Sequence, residues 1–213
     1  MIDKDYKETK IGIIPKDWDV VRLGDVLNEF PKYGIGAPSV EYSKNLPTYI
    51  RITDIDENGC FKSQEKVSVE HKDYKKYILK ENEIVFARTG ASVGKSYLYN
   101  KNDGVLVYAG FLIKISPNIE KINSVFLANI VNTNTYWNWV KIMSLRSGQP
   151  GINSKEYSGM RIPLPPLKEQ EKIAEILTLW DNAILKQSNL IDEKEKLKKR
   201  TYAKIIKFQN PLS

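Results

Sequence analysis

The sequence predicts an α+β fold: a globular domain over residues 1–166 with a mixed β-sheet and helices, then a long coiled-coil helix over residues 167–213. Three observations predict it. Short runs rich in β-branched and aromatic residues recur between turn residues in the first part, helical spacing interrupts them twice, and no glycine or proline occurs between Leu167 and Asn210. A chain of 213 residues holds one well-packed domain and an appendage, and its 41% hydrophobic and 28% charged residues are those of a globular protein.

Four segments read as strands: Thr48-Tyr49-Ile50-Arg51-Ile52, Glu83-Ile84-Val85-Phe86-Ala87, Val105-Leu106-Val107-Tyr108 and Phe111-Leu112-Ile113-Lys114-Ile115. Asn58-Gly59, Thr89-Gly90, Asp103-Gly104, Ala109-Gly110 and Ser116-Pro117 punctuate them as turns or bulges. Leu23, Val26, Leu27 and Phe30 have helical spacing. A second helical stretch runs from Ser124 to about Leu145, with Phe126, Leu127, Ile130 and Val131 ahead of Tyr136, Trp137, Trp139, Val140 and Met143.

Pro163-Leu164-Pro165-Pro166-Leu167 stops the domain and suits a helix entry, and Glu169, Glu171 and Glu175 favour the positive end of the helix dipole. The apolar face of this helix reads Ile173, Leu177, Trp180, Ile184, polar Gln187, then Ile191, at alternating steps of four and three. The stripe resumes one position earlier through Leu190, Leu197, Thr201, Ile205 and Phe208. At about 1.5 Å per residue the helix spans about 63 Å, more than one small domain covers. Its stripe therefore calls for a partner helix, from a second chain or from a helical hairpin folded back near Ser188-Asn189.

A net charge of +7 and a pI near 9.2 favour a polyanionic partner. No apolar run approaches a membrane span and the first residues lack a secretion signal, so a cytoplasmic protein is expected, and the single Cys60 excludes an internal disulfide. Motifs of self-contained chemistry fail. Gly90-Ala91-Ser92-Val93-Gly94-Lys95-Ser96 is one residue short of a P-loop, with three residues between its glycines and Thr89 where the first glycine belongs. It suits a β-hairpin turn, or a loop meeting a DNA backbone through amides, Arg88 and Lys95. The only histidine, His71, lies in a charged stretch and reads as solvated. Asp54, Asp56 and Glu57 read as a solvated turn rather than a nuclease cluster. No catalytic residue, metal site or resident cofactor is expected.

Ser147-Gly148-Gln149-Pro150-Gly151-Ile152-Asn153, preceded by Arg146, is either a loop that reads base edges or a connection between helix and strand. Gln and Asn make paired hydrogen bonds to adenine, and Arg to guanine. The candidate DNA-contacting residues are Arg51, Arg88, Thr89, Lys95, Arg146, Ser147, Gln149 and Asn153.

Three stretches carry a resemblance. Ile14-Pro15-Lys16-Asp17-Trp18 with Leu23-Gly24-Asp25, Ile84-Val85-Phe86-Ala87-Arg88-Thr89-Gly90 with Val93-Gly94-Lys95, and Ile162-Pro163-Leu164-Pro165-Pro166-Leu167-Lys168-Glu169-Gln170-Glu171-Lys172-Ile173 are together similar to the specificity subunits of type I restriction-modification systems. The resemblance implies a noncatalytic subunit whose target-recognition domain grips double-stranded DNA. Its helix serves as a spacer and docks modification subunits. In that family the partners methylate adenine with S-adenosylmethionine, and a restriction subunit translocates and cuts DNA with ATP. Members usually carry two recognition domains, each with its helical region, whereas this sequence holds one of each. It therefore resembles a half-length subunit that homodimerises through Ile173, Leu177, Trp180, Ile184, Ile191 and Leu197 and reads a bipartite site with inverted half-sites. The competing expectation is a coiled-coil structural or regulatory oligomerisation protein with an accessory basic domain.

Overall fold

The structure, a computed structural model, describes residues 5–145 and 150–209, with side chains described as far as Tyr202. The chain divides into two compact units, Met1–Glu171 and Lys172–Ser213.

The first unit begins with a hairpin of β1 (Tyr6–Thr9) and β2 (Gly12–Pro15), followed by β3 (Asp19–Arg22), β4 (Lys32–Tyr33), β5 (Ser39–Glu41), β6 (Thr48–Ile50) and β7 (Val67–Val69). Next come β8 (Ile84–Ala87), β9 (Ser96–Leu98), β10 (Leu106–Tyr108) and β11 (Leu112–Ile115). Three helices follow, α1 (Ser124–Ile130), α2 (Asn134–Ser144) and α3 (Ser154–Gly159), then β12 (Arg161–Leu164) and the long α4 (Leu167–Gln209). Two four-stranded sheets form the centre, in the orders β10-β6-β7-β5 and β4-β11-β8-β9. The first is mixed, because β10 pairs parallel with β6 while β6 and β5 pair antiparallel with β7. All four segments read as strands contribute one.

Alternation along these strands builds layers. Ile50, Val85, Ala87, Tyr97, Leu106, Tyr108 and Leu112 point into one buried cluster that both sheets share. The intervening Tyr49 and Val107 join Ile35, Val69 and Ala109 in a second cluster. Phe86, which alternates with Val85 and Ala87, stacks on Tyr157 of α3 at 4.6 Å between ring centroids, and Tyr136 of α2 lies 6.3 Å from it.

Two early expectations change. Leu23–Val26 forms a single 3-10 turn rather than a longer helix, and Phe30 is exposed. The backbone after Val26 finds partners elsewhere: Asn28 N–H donates to the Ser116 carbonyl and Asn118 N–H to the Val26 carbonyl. The stretch from Ser124 breaks in two, because the Thr133 side chain accepts from Tyr136 N–H and so starts α2 as its N-cap.

The junction closes the unit. Antiparallel pairing of β12 with β3 sets Arg161 to Leu164 beside Arg22 to Asp19. In the first turn of α4, Glu169 accepts a hydrogen bond from the Trp18 indole N–H at 3.2 Å. The next residue, Gln170, is fully buried: its amide donates to the carbonyls of Lys121 (3.2 Å) and Pro165 (2.8 Å), and its oxygen accepts from Asn123 N–H at 2.9 Å. Two of the family-like stretches, distant in sequence, are thus in contact.

In the second unit α4 runs without interruption through Ser188-Asn189, which removes the folded-back hairpin. Ile173 and Leu177 are half-buried, whereas Trp180, Ile184, Ile191 and Leu197 are exposed, Trp180 to 65%. No helix among the described residues is long and apolar enough to cross a membrane.

Lys114 is a cation buried inside the first unit. Lys114 Nζ, in β11, lies 2.5 Å from Glu83 Oε1 and 3.4 Å from Glu29 Oε1, and Ser116 Oγ donates to Glu83 Oε1 at 2.9 Å and lies 3.3 Å from Glu29 Oε1. The Lys32 hydrogen bond is the main reason that Glu29 titrates below the usual carboxylate range, with help from Lys114. Replacing Lys114 by Met leaves the Glu83 carboxylate buried without its cation. Lys114→Met is expected to cost about 3–5 kcal/mol in denaturant unfolding, and the double variant Lys114→Met/Glu83→Gln to recover much of it.

Candidate nucleic-acid interface

Two glycine-bearing loops far apart in sequence meet at one place. Thr89 bridges Gly151, Gly90 N–H donates to the Pro150 carbonyl at 3.1 Å, and Ile152 N–H donates to the Arg88 carbonyl at 2.9 Å. The first loop is the β8–β9 hairpin turn, with Phe86 paired to Ser96 across its base. Its interior is packed from below. Tyr136 O–H, fully buried, donates to the Gly94 carbonyl at 2.6 Å. Gly94 has a φ of +89°, and a Cβ there would lie 2.7 Å from Val140 and 3.0 Å from Trp137. The glycines thus serve the turn and its packing on α2.

The candidate cations have different fates. Arg51 is gripped by Asp54, Nε to Oδ2 at 2.9 Å and Nη2 to Oδ1 at 2.8 Å, a fork that raises the arginine's already high pKa. Lys95 Nζ lies 2.6 Å from Glu57 Oε1, and the Glu57 side chain is 84% exposed. Arg88 has no anionic partner among the described residues. Its guanidinium lies 4.7 Å from the centroid of the Tyr33 ring, and its Nε is buried without a hydrogen bond. Tyr33 is itself held, since its hydroxyl oxygen accepts from Ser154 N–H at 3.2 Å. Burial would raise the Tyr33 pKa, but the Ser154 bonds and the Arg88 charge outweigh it and bring it below the ordinary value. A stacked, pre-oriented guanidinium with spare donors suits a phosphate or a guanine edge.

Asn153 caps α3: its side chain accepts from Glu156 N–H while the Glu156 carboxylate accepts from Asn153 N–H. Its amide oxygen is therefore engaged within the helix start. Arg146, Ser147 and Gln149 lie outside the described residues. Sequence reasoning missed Tyr33, whose role depends on β4 pairing with β11 and carried no local signal.

Asp54, Asp56 and Glu57 each serve a different partner. Asp54, buried rather than solvated, holds Arg51; Asp56 accepts from Asn58 and Cys60 N–H groups; Glu57 meets Lys95. No group of three or more potential metal ligands occurs among the described residues. His71 is exposed, its Nδ1 accepting from Asp73 N–H.

The profile of the family described as type I restriction modification DNA specificity domain matches residues 15–193, most of the chain. The chain belongs to this specificity-domain family. Two relatives from Methanocaldococcus jannaschii, named for the specificity subunits of type I restriction enzymes MjaX and MjaVIII, are 30% and 28% identical over 208 and 207 residues. Each alignment covers 96% of this specificity-family chain, and 49% and 45% of the relatives. The chain thus spans about half the length of the relatives it matches. Among solved structures, the HsdS subunit from Thermoanaerobacter tengcongensis shares the fold, with a TM-score of 0.59 at 19% identity over 86% of this chain and 46% of that one. A chain from a structure titled for complex assembly and conformational transition of the type I R-M system gives a TM-score of 0.60 at 20% identity, over 86% and 47% of the two chains.

The packing under the loops gives a stability test. Gly94→Ala in this specificity-family chain is expected to destabilise the first unit by about 1–3 kcal/mol, through a strained positive φ and the Cβ contact with Val140, read as a lower thermal midpoint.

Proposed function

We propose that this chain is a noncatalytic, sequence-specific DNA-binding subunit of a type I restriction-modification system. The observation that carries this reading is the match of residues 15–193 to the DNA specificity domain. In this reading the first unit grips double-stranded DNA with the face where the two glycine-bearing loops meet. Arg88 and Thr89 stand there, with Arg51 and Lys95 held by carboxylates and Arg146, Ser147, Gln149 and Asn153 in or beside the second loop. Modification subunits, carrying S-adenosylmethionine, methylate adenine at the site that this subunit selects. A restriction subunit carrying ATP translocates and cuts the DNA. The chain holds no cofactor of its own, and it works in the cytoplasm, where its DNA lies.

The DNA reading is tested by salt-dependent binding. Replacing Arg88, Lys95 and Arg146 together by Ala is expected to weaken binding to duplex DNA and to lower the salt slope by roughly two to three, near one per lost phosphate contact. An unchanged affinity and slope would place the DNA elsewhere on the molecule.

The partner of α4 in this reading is a second copy, paired antiparallel through Ile173, Leu177, Trp180, Ile184, Ile191 and Leu197. Two features support it. The apolar stripe is open from Trp180 onward. The charges are also distributed unequally: residues 167–187 carry four acidic and three basic side chains, and residues 188–209 carry three acidic and seven basic ones. Antiparallel copies keep the two basic halves apart, whereas parallel copies set them side by side. In such a homodimer the half-sites are identical and inverted. Light scattering at micromolar concentration is expected to give a dimer that Trp180→Asp/Ile184→Asp converts to monomer; a monomeric parent chain would contradict the pairing.

A further inference from the structure

Where the chain passes from β10 in one sheet to β11 in the other, it turns through Ala109-Gly110-Phe111 and leaves the Phe111 ring 60% exposed. The turn is rigid. Leu112 N–H donates to the Ala109 carbonyl at 2.8 Å, and the flanking Tyr108 and Leu112 are buried. The Phe111 carbonyl accepts from Arg88 N–H at 3.0 Å, which sets this residue beside Arg88 of the candidate interface along the backbone.

Beside Phe111 lies a half-open hollow of about 590 Å³. Ile35, Ala37, Tyr49 and Ala109 wall it, and Thr53 and Arg51 stand among its lining residues. Tyr49 adds no free hydroxyl to it, because its O–H is placed between the carbonyls of Ile35 and Ala37. A face that meets DNA only through phosphates has no use for an apolar recess. Base-pair edges in the major groove present one apolar group, the 5-methyl of thymine, and a phenyl ring is among the side chains that meet it.

We propose that Phe111 and the hollow beside it form a specificity determinant that takes the 5-methyl edge of a thymine in duplex DNA, with Arg88 on its flank at the backbone. The inference rests on the DNA-recognition reading above. The backbone that carries the ring is already closed by the hydrogen bond from Leu112 N–H to the Ala109 carbonyl, so binding orders only the side chain.

The test uses the full chain and duplexes enriched from a randomised pool. The parent is expected to enrich a motif with thymine at a defined position. Replacing that thymine by deoxyuridine, which removes only the methyl, is expected to weaken binding about fourfold, the worth of one buried methyl group. Phe111→Ala, checked for an unchanged thermal midpoint, is expected to lose the preference at that position and its sensitivity to deoxyuridine while keeping the salt slope. Phe111→Leu, still apolar, is expected to keep part of the sensitivity. A Phe111→Ala variant with the parent's preference would overturn the proposal and leave the DNA reading intact, as would a parent motif indifferent to deoxyuridine at every thymine. A parent that enriches no motif at all would overturn the DNA reading as well.

Discussion

The first unit depends on how its two ends are joined. β3 lies near the start of the chain and β12 near the end of the unit, and their antiparallel pairing holds everything between them. Gln170 completes the join at full burial. A primary amide is costly to bury unless its hydrogen-bonding groups are met, and here the oxygen and the nitrogen both are, by three backbone groups from two segments. Glutamate in its place would bring an unpaired charge against two carbonyls, and leucine would strand the backbone groups. The Trp18 bond to Glu169 ties the same turn to the opening segment. The proline-rich run into Leu-Lys-Glu-Gln is therefore a clasp as well as a helix start.

With the ends held, loops distant in sequence share one place. The β8–β9 turn is steadied by Tyr136 and α2, and the stretch from Pro150 to Ile152 is hydrogen-bonded along it. Of the candidate cations, Arg51 and Lys95 are already answered by carboxylates at hydrogen-bonding distance, and a phosphate must compete with those partners. Among the described residues no carboxylate competes for Arg88. Its stacking on Tyr33 sets the direction of the guanidinium before any ligand arrives, which lowers the ordering cost of binding.

Much of this was legible in the sequence. The four strands announced themselves through Val, Ile, Phe and Tyr, and the long helix through an unbroken run with apolar residues at steps of four and three. Leu23 to Phe30 misled because its helical spacing is real but its backbone is claimed by residues 116–118, a long-range pairing that no local pattern encodes. The break at Thr133 rests on a capping hydroxyl that the apolar residues on either side mask in the sequence. At the candidate interface, Arg88 and the two loops could be singled out by residue type. The Asp54 fork on Arg51, the stacking on Tyr33 and the capping role of Asn153 could not, since each depends on where a side chain lands after folding.

The second unit sets the larger consequence. A helix exposing Trp180, Ile184, Ile191 and Leu197 to water favours a covering partner. With a second copy as that partner, a twofold axis relates two recognition units and prescribes the symmetry of the DNA they read. The most direct measurement is the symmetry of the motif that the full chain enriches from randomised duplex DNA. Two identical half-sites, inverted and held at one fixed spacing, are the predicted result. A single half-site, or two unlike half-sites, would contradict the twofold arrangement.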